Sequence, residues 1–189
     1  MPYYLGIDLG GTNVAAAVVD EAGQILGRAS LPTPQGVPAP QVAGQMAEAA
    51  RQAARSAGLE GGAIAAVGVG SPGTVEPDRG CVRYWSNLAF RDVPLVELLE
   101  ARLNKPVYLE NDANAAALGE YAAGAGKGSA SLIAITLGTG VGGGAVLDGK
   151  LYTGFNYAGM EVGHFVIEYN GRLCTCGRRG CFEAYCSAT

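Results

Sequence analysis

One histidine and three cysteines stand in the spacing His-x9-Cys-x-Cys-x4-Cys, formed by His164, Cys174, Cys176 and Cys181. Three thiolates and one imidazole complete a tetrahedral Zn²⁺ and leave no position for water, so the expected role of such an ion is structural. Gly171, Gly177 and Gly180 let the chain wrap closely around it. Met1-Pro2-Tyr3-Tyr4 leads straight into a strand pattern, with no basic and then apolar leader. In that context clustered cysteines favour metal over disulfides and imply the reducing cytoplasm. Cys81 and Cys186 read as packing residues. Glu161 and Glu183 flank the ligands. Either is a solvated surface acid, or, pinned by the metal loop, an acceptor for ligand hydroxyls.

A second chemistry is written in glycine. A phosphate needs several backbone N–H groups aimed one way with no Cβ in the path, and Gly10 and Gly11 in Asp8-Leu9-Gly10-Gly11-Thr12-Asn13 supply that, with the Thr12 hydroxyl as a further donor. Asp8, at the end of a strand, is placed to hold Mg²⁺ directly or through water. Taken alone, the turn also fits an ordinary Gly-Gly hairpin. Leu137-Gly138-Thr139-Gly140-Val141-Gly142-Gly143-Gly144 contains G-x-G-x-x-G. The dinucleotide fingerprint of that form must open a helix. Here Ala145-Val146-Leu147 continues as strand, and the glycines would cost a helix about 1 kcal/mol each. A phosphate-gripping hairpin is the better reading. Asp112, in Glu110-Asn111-Asp112, sits where a strand becomes a helix. It is equally a helix N-cap or a base that takes a hydroxyl proton during phosphoryl transfer.

The elements that must position these groups are legible as alternations and caps. Tyr3 to Leu9, Val14 to Asp20 and Gln24 to Leu31 read as an antiparallel meander. A Pro/Gly-rich stretch from Pro32 to Pro40 precedes an alanine-rich helix, Gln41 to Ala57, closed by Gly58. Ile64 to Gly70 is a strand running into Ser71-Pro72-Gly73-Thr74, and Pro94 to Asn104 is an amphipathic helix. Pro106 to Glu110 is a strand that meets a helix reaching Ala123. Beyond a glycine joint at Gly124 to Gly128, Ser131 to Leu137 is strand, Gly138 to Gly144 turn, and Ala145 to Leu147 strand. Leu5–Asp20 lies over Ile133–Asp148 without a gap, with six of sixteen positions identical, which implies a duplicated strand-turn-strand unit. The net charge of −4 provides no basic field for nucleic acid or an anionic membrane surface, and no run of about 18 apolar residues predicts a membrane span.

These residues resemble the ROK family of sugar kinases, within the actin/hexokinase fold group. The matching pieces are Asp8–Asn13, Glu110-Asn111-Asp112, Leu137–Gly144, Glu161-Val162-Gly163-His164 and Cys174–Glu183, in the family order and spanning nearly the whole chain. The resemblance implies an α/β, actin-like ATPase (ribonuclease H-like) duplicated fold. An N-terminal lobe would cover residues 1–118 and the start of a second lobe 119–189. Family members continue well past the point where this sequence ends, so the second lobe is expected to be incomplete.

The implied activity is phosphorylation of a hexose at the 6-OH by ATP with Mg²⁺, glucose first. N-acetylmannosamine or N-acetylglucosamine kinase, and a non-catalytic sugar-sensing domain, are the alternatives. Asp112 would be the base. Asn111, Glu161, His164, Glu183, Gly73 and Asn87 would bind the sugar. Gly10, Gly11, Thr12, Gly138, Thr139 and Gly140 would line the phosphates, with Asp8 near Mg²⁺. His164, Cys174, Cys176 and Cys181 would hold Zn²⁺, and His164 would serve metal and sugar through its two nitrogens. Implied partners are hexose and ATP, with neither nucleic acid nor membrane; family members are often homodimers.

Overall fold

Alternation decides the first strands. In β1 (Tyr3–Leu9) Leu5, Ile7 and Leu9 are buried while Tyr4, Gly6 and Asp8 face out. β2 (Asn13–Val19) buries Val14, Ala16 and Val18 in the same way. With β3 (Ile25–Pro32) they form the expected antiparallel meander. The structure is a computed structural model, and it describes residues 2–59, 61–85 and 88–188.

The helix α1 (Ala39–Ser56) starts two residues before the expected Gln41, with Pro38 as N-cap and Pro40 in its first turn. Proline loses nothing there, because the first N–H groups of a helix have no partner within it. Gly58, at φ 68°, takes the left-handed position that ends the helix. The buried face of α1 is mostly Ala43, Ala47, Ala50, Ala53 and Ala54 around Val42 and Met46. Such short side chains bring it close to the sheet: a Cβ on Gly27 of β3 would lie 2.5 Å from the Ala57 nitrogen.

β4 (Ile64–Ser71) joins β1 in parallel. A small sheet then follows where no element was expected: β5 (Thr74–Glu76), β6 (Cys81–Trp85) and β7 (Phe90–Val93), paired in that order and antiparallel. Its strands are short and carry Glu76, Arg83, Arg91 and Asp92, so the apolar alternation is broken. Val75, Val82, Trp85, Phe90 and Val93 nevertheless enter the main core, with Trp85 and Phe90 edge-to-face at 5.9 Å. α2 (Leu95–Leu103) contributes Leu95 and Leu99 to that core, and Asn104 caps it in the left-handed region. β8 (Val107–Asn111) pairs in parallel with β4 and completes a mixed five-stranded sheet of order β3-β2-β1-β4-β8.

Contacts divide the chain into two units, Met1–Asp112 and Ala113–Thr189. The sequence reading drew its division after residue 118, inside α3 (Asp112–Ala122). Packing of that helix against a hairpin of the second unit accounts for the earlier division. The hairpin is β9 (Leu132–Leu137) and β10 (Val141–Leu147), with β11 (Lys150–Leu151) on its far edge. β10 begins at Val141, whereas Gly142, Gly143 and Gly144 were expected in the turn. A Cβ on Gly144 would lie 2.6 Å from the Ala117 Cβ, one on Gly142 2.9 Å from the Ala113 Cβ, and one on Gly143 2.6 Å from a Val162 methyl. Those three glycines let the strand pass between α3 and the Met160–Val162 segment. The last helix, α4 (Glu183–Cys186), is a single turn.

The second turn is also one residue shorter than an ungapped repeat implies. Leu9 pairs with Val14 across the first turn, but Leu137 pairs with Val141 across the second. The shift moves side chains between faces: Ala17 lies opposite Gly6, while its counterpart Ala145 lies opposite Ile133. Among the described residues no helix is long and apolar enough to cross a membrane.

Close packing at β10 makes a prediction. Gly144→Ala lowers stability by about 1–3 kcal/mol through overpacking. Gly68→Ala in β4, where a Cβ meets nothing within 4 Å, costs clearly less. Urea unfolding of the two variants checks this, and equal losses would remove the packing explanation for the strand glycines.

Candidate active site and metal centre

β1, β4 and β8 run parallel and end together. Asp8 lies opposite Gly70, and Ser71 opposite Asn111, so Asp8, Asn111 and Asp112 leave the sheet at the carboxyl ends of its parallel strands. That edge is where open α/β sheets place ligands. Partial desolvation, and next the charge of Asp112, raise the Asp8 carboxyl above its ordinary value. Two carboxylates that feel one another at a strand edge are a place where a cation is welcome. The Asn111 amide donates to the Gly73 carbonyl at 3.5 Å. Gly73 sits at φ 84°, and a Cβ there would lie 2.3 Å from the Tyr84 carbonyl oxygen, so β6 fixes this corner. Asn87 lies outside the described residues.

The Asp8–Asn13 turn closes with the Gly10 N–H on the Asn13 carbonyl at 2.9 Å. Its carbonyls are held from the chain that follows β3. The Thr33 hydroxyl donates to Gly10 O at 2.7 Å, the Thr33 N–H to Thr12 O at 2.8 Å, and the Gln35 amide to Gly11 O at 2.8 Å. Sequence reasoning passed over both residues. Their only local signal is a threonine and a glutamine inside a proline-rich stretch, which predicts a loop and nothing more.

In the second unit, the turn between β9 and β10 closes with the Gly138 N–H on the Gly140 carbonyl at 2.9 Å. Glu183 reaches it: Oε2 accepts the Val141 N–H at 3.1 Å, and Oε1 accepts the Thr175 hydroxyl at 2.9 Å and the Cys174 thiol at 3.5 Å. Desolvation pushes the Glu183 carboxyl up, but the Val141 N–H, followed by Thr175 and Cys174, outweighs it and holds the group below its ordinary range. A Cβ on Gly140 would lie 2.6 Å from that carboxylate, which explains the glycine there. Thr139 stands at the exposed tip of this turn, between Gly138 and Gly140. Glu161 is exposed at the entry to the 3-10 turn Val162–His164, and its carbonyl accepts the His164 N–H at 3.0 Å.

His164, Cys174, Cys176 and Cys181 come together as the spacing predicts, their ligand atoms all within 4.8 Å of one another. The Cys176–Cys181 sulfur pair is 3.7 Å apart, and Cys174 Sγ is 3.7 Å from His164 Nδ1. Tetrahedral Zn–S bonds of about 2.3 Å require edges of about 3.6–3.8 Å; these two edges match that value, and the others stay within 4.8 Å. Their acidities fit as well. The Arg178 backbone N–H draws the Cys176 thiol down to about 6, while burial pushes Cys181 up to about 11. One thiolate forms readily and the other is kept protonated chiefly by burial, a cost that a bound cation would offset. Arg178 also donates to the His164 carbonyl at 2.8 Å.

The sequence model of the ROK family matches residues 4–189. A curated glucokinase of Streptomyces coelicolor is 45% identical over 97% of this chain and 56% of its own length. An N-acetylmannosamine kinase of Yersinia pseudotuberculosis is 37% identical over 98% of the chain and 61% of its own length. The structure of a ROK family glucokinase from Streptomyces griseus, in complex with glucose and AMPPNP, superposes with a TM-score of 0.85 at 41% identity, covering 98% of this chain and 57% of that one. This chain therefore spans just over half the length of the relatives it matches.

The raised Asp8 carboxyl sets a pH dependence. Its folded value exceeds its unfolded one, so protonated Asp8 costs folding nothing at low pH, and stability is lost as pH rises through the folded value. Asp8→Asn therefore raises Tm at neutral pH, and its advantage over wild type vanishes as pH falls below the ordinary value of 3.8. Thermal melts across pH measure this; an Asn variant less stable than wild type at pH 7 would show that Asp8 is a structural anchor instead.

Proposed function

The chain belongs to the ROK family, and from that premise we propose that it serves phosphoryl transfer from MgATP to the 6-OH of a hexose, glucose first. The observation that carries this reading is the common strand edge of Asp8, Asn111 and Asp112, beside a glycine turn whose carbonyls are tied back. The relative whose structure contains glucose and AMPPNP supports it. The two hairpins, β1–β2 and β9–β10, are then the cognate corners of a duplicated actin-like fold. Their sequence match and shared strand-turn-strand form support that reading, despite the one-residue difference in turn length.

In this reading the backbone amides around Gly10, Gly11 and Thr12, and around Gly138, Thr139 and Gly140, hold the phosphates. Asn111, Glu161, His164 and Glu183 hold the sugar hydroxyls, with Gly73 and Asn87 beside them. The hexose O6 bonds to the γ-phosphorus, the bond to the β–γ bridging oxygen breaks, ADP leaves, and the O6 proton passes to the Asp112 carboxylate. Asp112 opens α3, where the helix dipole favours negative charge. Asp8 would hold Mg²⁺, which would supply charge neutralisation for the phosphates. Zn²⁺ is the proposed occupant of the His164, Cys174, Cys176 and Cys181 cluster, with a structural role.

A second substrate has a specific observation in its favour, the 37% identity to an N-acetylmannosamine kinase. A steady-state panel of hexoses and N-acetylhexosamines with MgATP separates the two; turnover of the N-acetyl sugars above glucose would replace the first reading.

Two variants test the site. Asp112→Asn lowers kcat by about 10²–10⁴-fold, the usual contribution of a positioned proton acceptor, and leaves zinc content unchanged. Full turnover by the variant would remove Asp112 as the base. Atomic emission finds one zinc per wild-type chain and little in Cys181→Ser; a wild-type chain purified with no zinc, and taking none up, would refute the metal assignment.

A further inference from the structure

The geometry points to Thr33 and Gln35 as positioning residues for the nucleotide: they hold the first glycine turn so that its amides face the phosphates. The inference rests on the kinase reading of that turn. A trans peptide places its C=O and N–H on opposite sides of the chain. When Gly10 O is drawn to the Thr33 hydroxyl at 2.7 Å, the N–H of Gly11 in the same peptide is directed away from Thr33. When Gly11 O is drawn to the Gln35 amide at 2.8 Å, the Thr12 N–H is directed away in the same manner. The Thr33 N–H fixes Thr12 O at 2.8 Å, so three successive carbonyls are satisfied from one side.

This bracing answers a cost that glycine creates. Gly10 must lack a Cβ for the turn to close, since one there would lie 2.7 Å from the Asn13 carbonyl oxygen, and the freedom of two successive glycines lets their peptides rotate. A turn free to rotate spends binding energy on ordering itself when the anion arrives. Thr33 is suited to prevent that. Its side chain is almost wholly buried, its hydroxyl is committed to Gly10, and Pro34 stiffens the chain behind it. Gln35 is exposed and also donates to the Thr33 carbonyl at 3.3 Å, tying the two braces together.

The test is titration of Mg-AMPPNP and, separately, of glucose into wild type, Thr33→Val, Thr33→Ser and Gln35→Ala, with Tm and amide hydrogen exchange recorded for each. Thr33→Val keeps the shape and removes the hydroxyl. It is expected to weaken Mg-AMPPNP about tenfold, the worth of one net hydrogen bond, leave glucose affinity unchanged and speed exchange at Gly11 and Thr12. Thr33→Ser restores both readouts. Gln35→Ala, on the surface and without consequence for folding, weakens Mg-AMPPNP to a lesser degree at unchanged Tm. Wild-type nucleotide affinity in both Thr33→Val and Gln35→Ala would overturn the inference, and so would parallel losses of nucleotide, glucose and Tm, which mark a merely structural role. A wild-type chain that binds no Mg-AMPPNP would instead defeat the kinase reading, and this inference with it.

Discussion

A peptide unit that offers its N–H to an anion must turn its carbonyl the other way, and that carbonyl needs a partner of its own. In both glycine turns carbonyls find such partners, from different residues. In the first, a segment after β3 takes up the Gly10, Gly11 and Thr12 carbonyls. In the second, the Gly138 carbonyl accepts the Ala188 N–H at 2.8 Å and the Gly140 carbonyl accepts the Gly138 N–H at 2.9 Å, while Glu183 takes up an amide, the Val141 N–H where β10 begins. Neither turn is shaped by its own residues alone.

Glycine is used here for two separate ends. At Gly10 its absence of side chain leaves room for the turn itself, since a Cβ there would lie 2.7 Å from the Asn13 carbonyl oxygen that its own N–H meets. At Gly142, Gly143 and Gly144 it leaves room for protein, since both faces of β10 are in contact with other backbone and side chains. Gly163 belongs to the second group, because a Cβ there would lie 2.1 Å from the Val141 carbonyl oxygen. A glycine-rich string in the sequence therefore mixes positions that close a turn with positions that admit neighbouring protein, and Gly140, pressed against Glu183, shows that the second kind reaches into the turn.

The metal loop and the second turn are mechanically joined. Cys174 and Thr175 bond one oxygen of Glu183, and the other oxygen bonds the start of β10. A structural ion at the cysteine cluster would take Cys174 as a thiolate and end its S–H bond to Glu183, so the loop would hold the carboxylate that borders Gly140 through Thr175, which lies between the ligands Cys174 and Cys176. The stacked rings of Phe165 and Phe182, 5.5 Å apart, tie the two arms of the ligand loop together from the apolar side.

Much of the site was readable without coordinates because its signals are local. The Asp8–Asn13 turn, the strand-to-helix change at Asp112 and the spacing of the four cluster residues each occupy a short stretch whose residue types restrict the chemistry. The meander and the cap at Gly58 were legible for the same reason. The three-stranded sheet of β5, β6 and β7 was not, because its short, charge-bearing strands form only where Val75, Val82 and Phe90 find a core built by distant residues. Nor was the shorter second turn, which is set by the pairing of Leu137 with Val141. The bracing of Gly10 by Thr33 and of Val141 by Glu183 joins residues 23 and 42 positions apart. Periodicity and spacing report what a segment prefers. Which carbonyl or amide a distant side chain will meet is decided only when the core closes and brings the two to hydrogen-bonding distance.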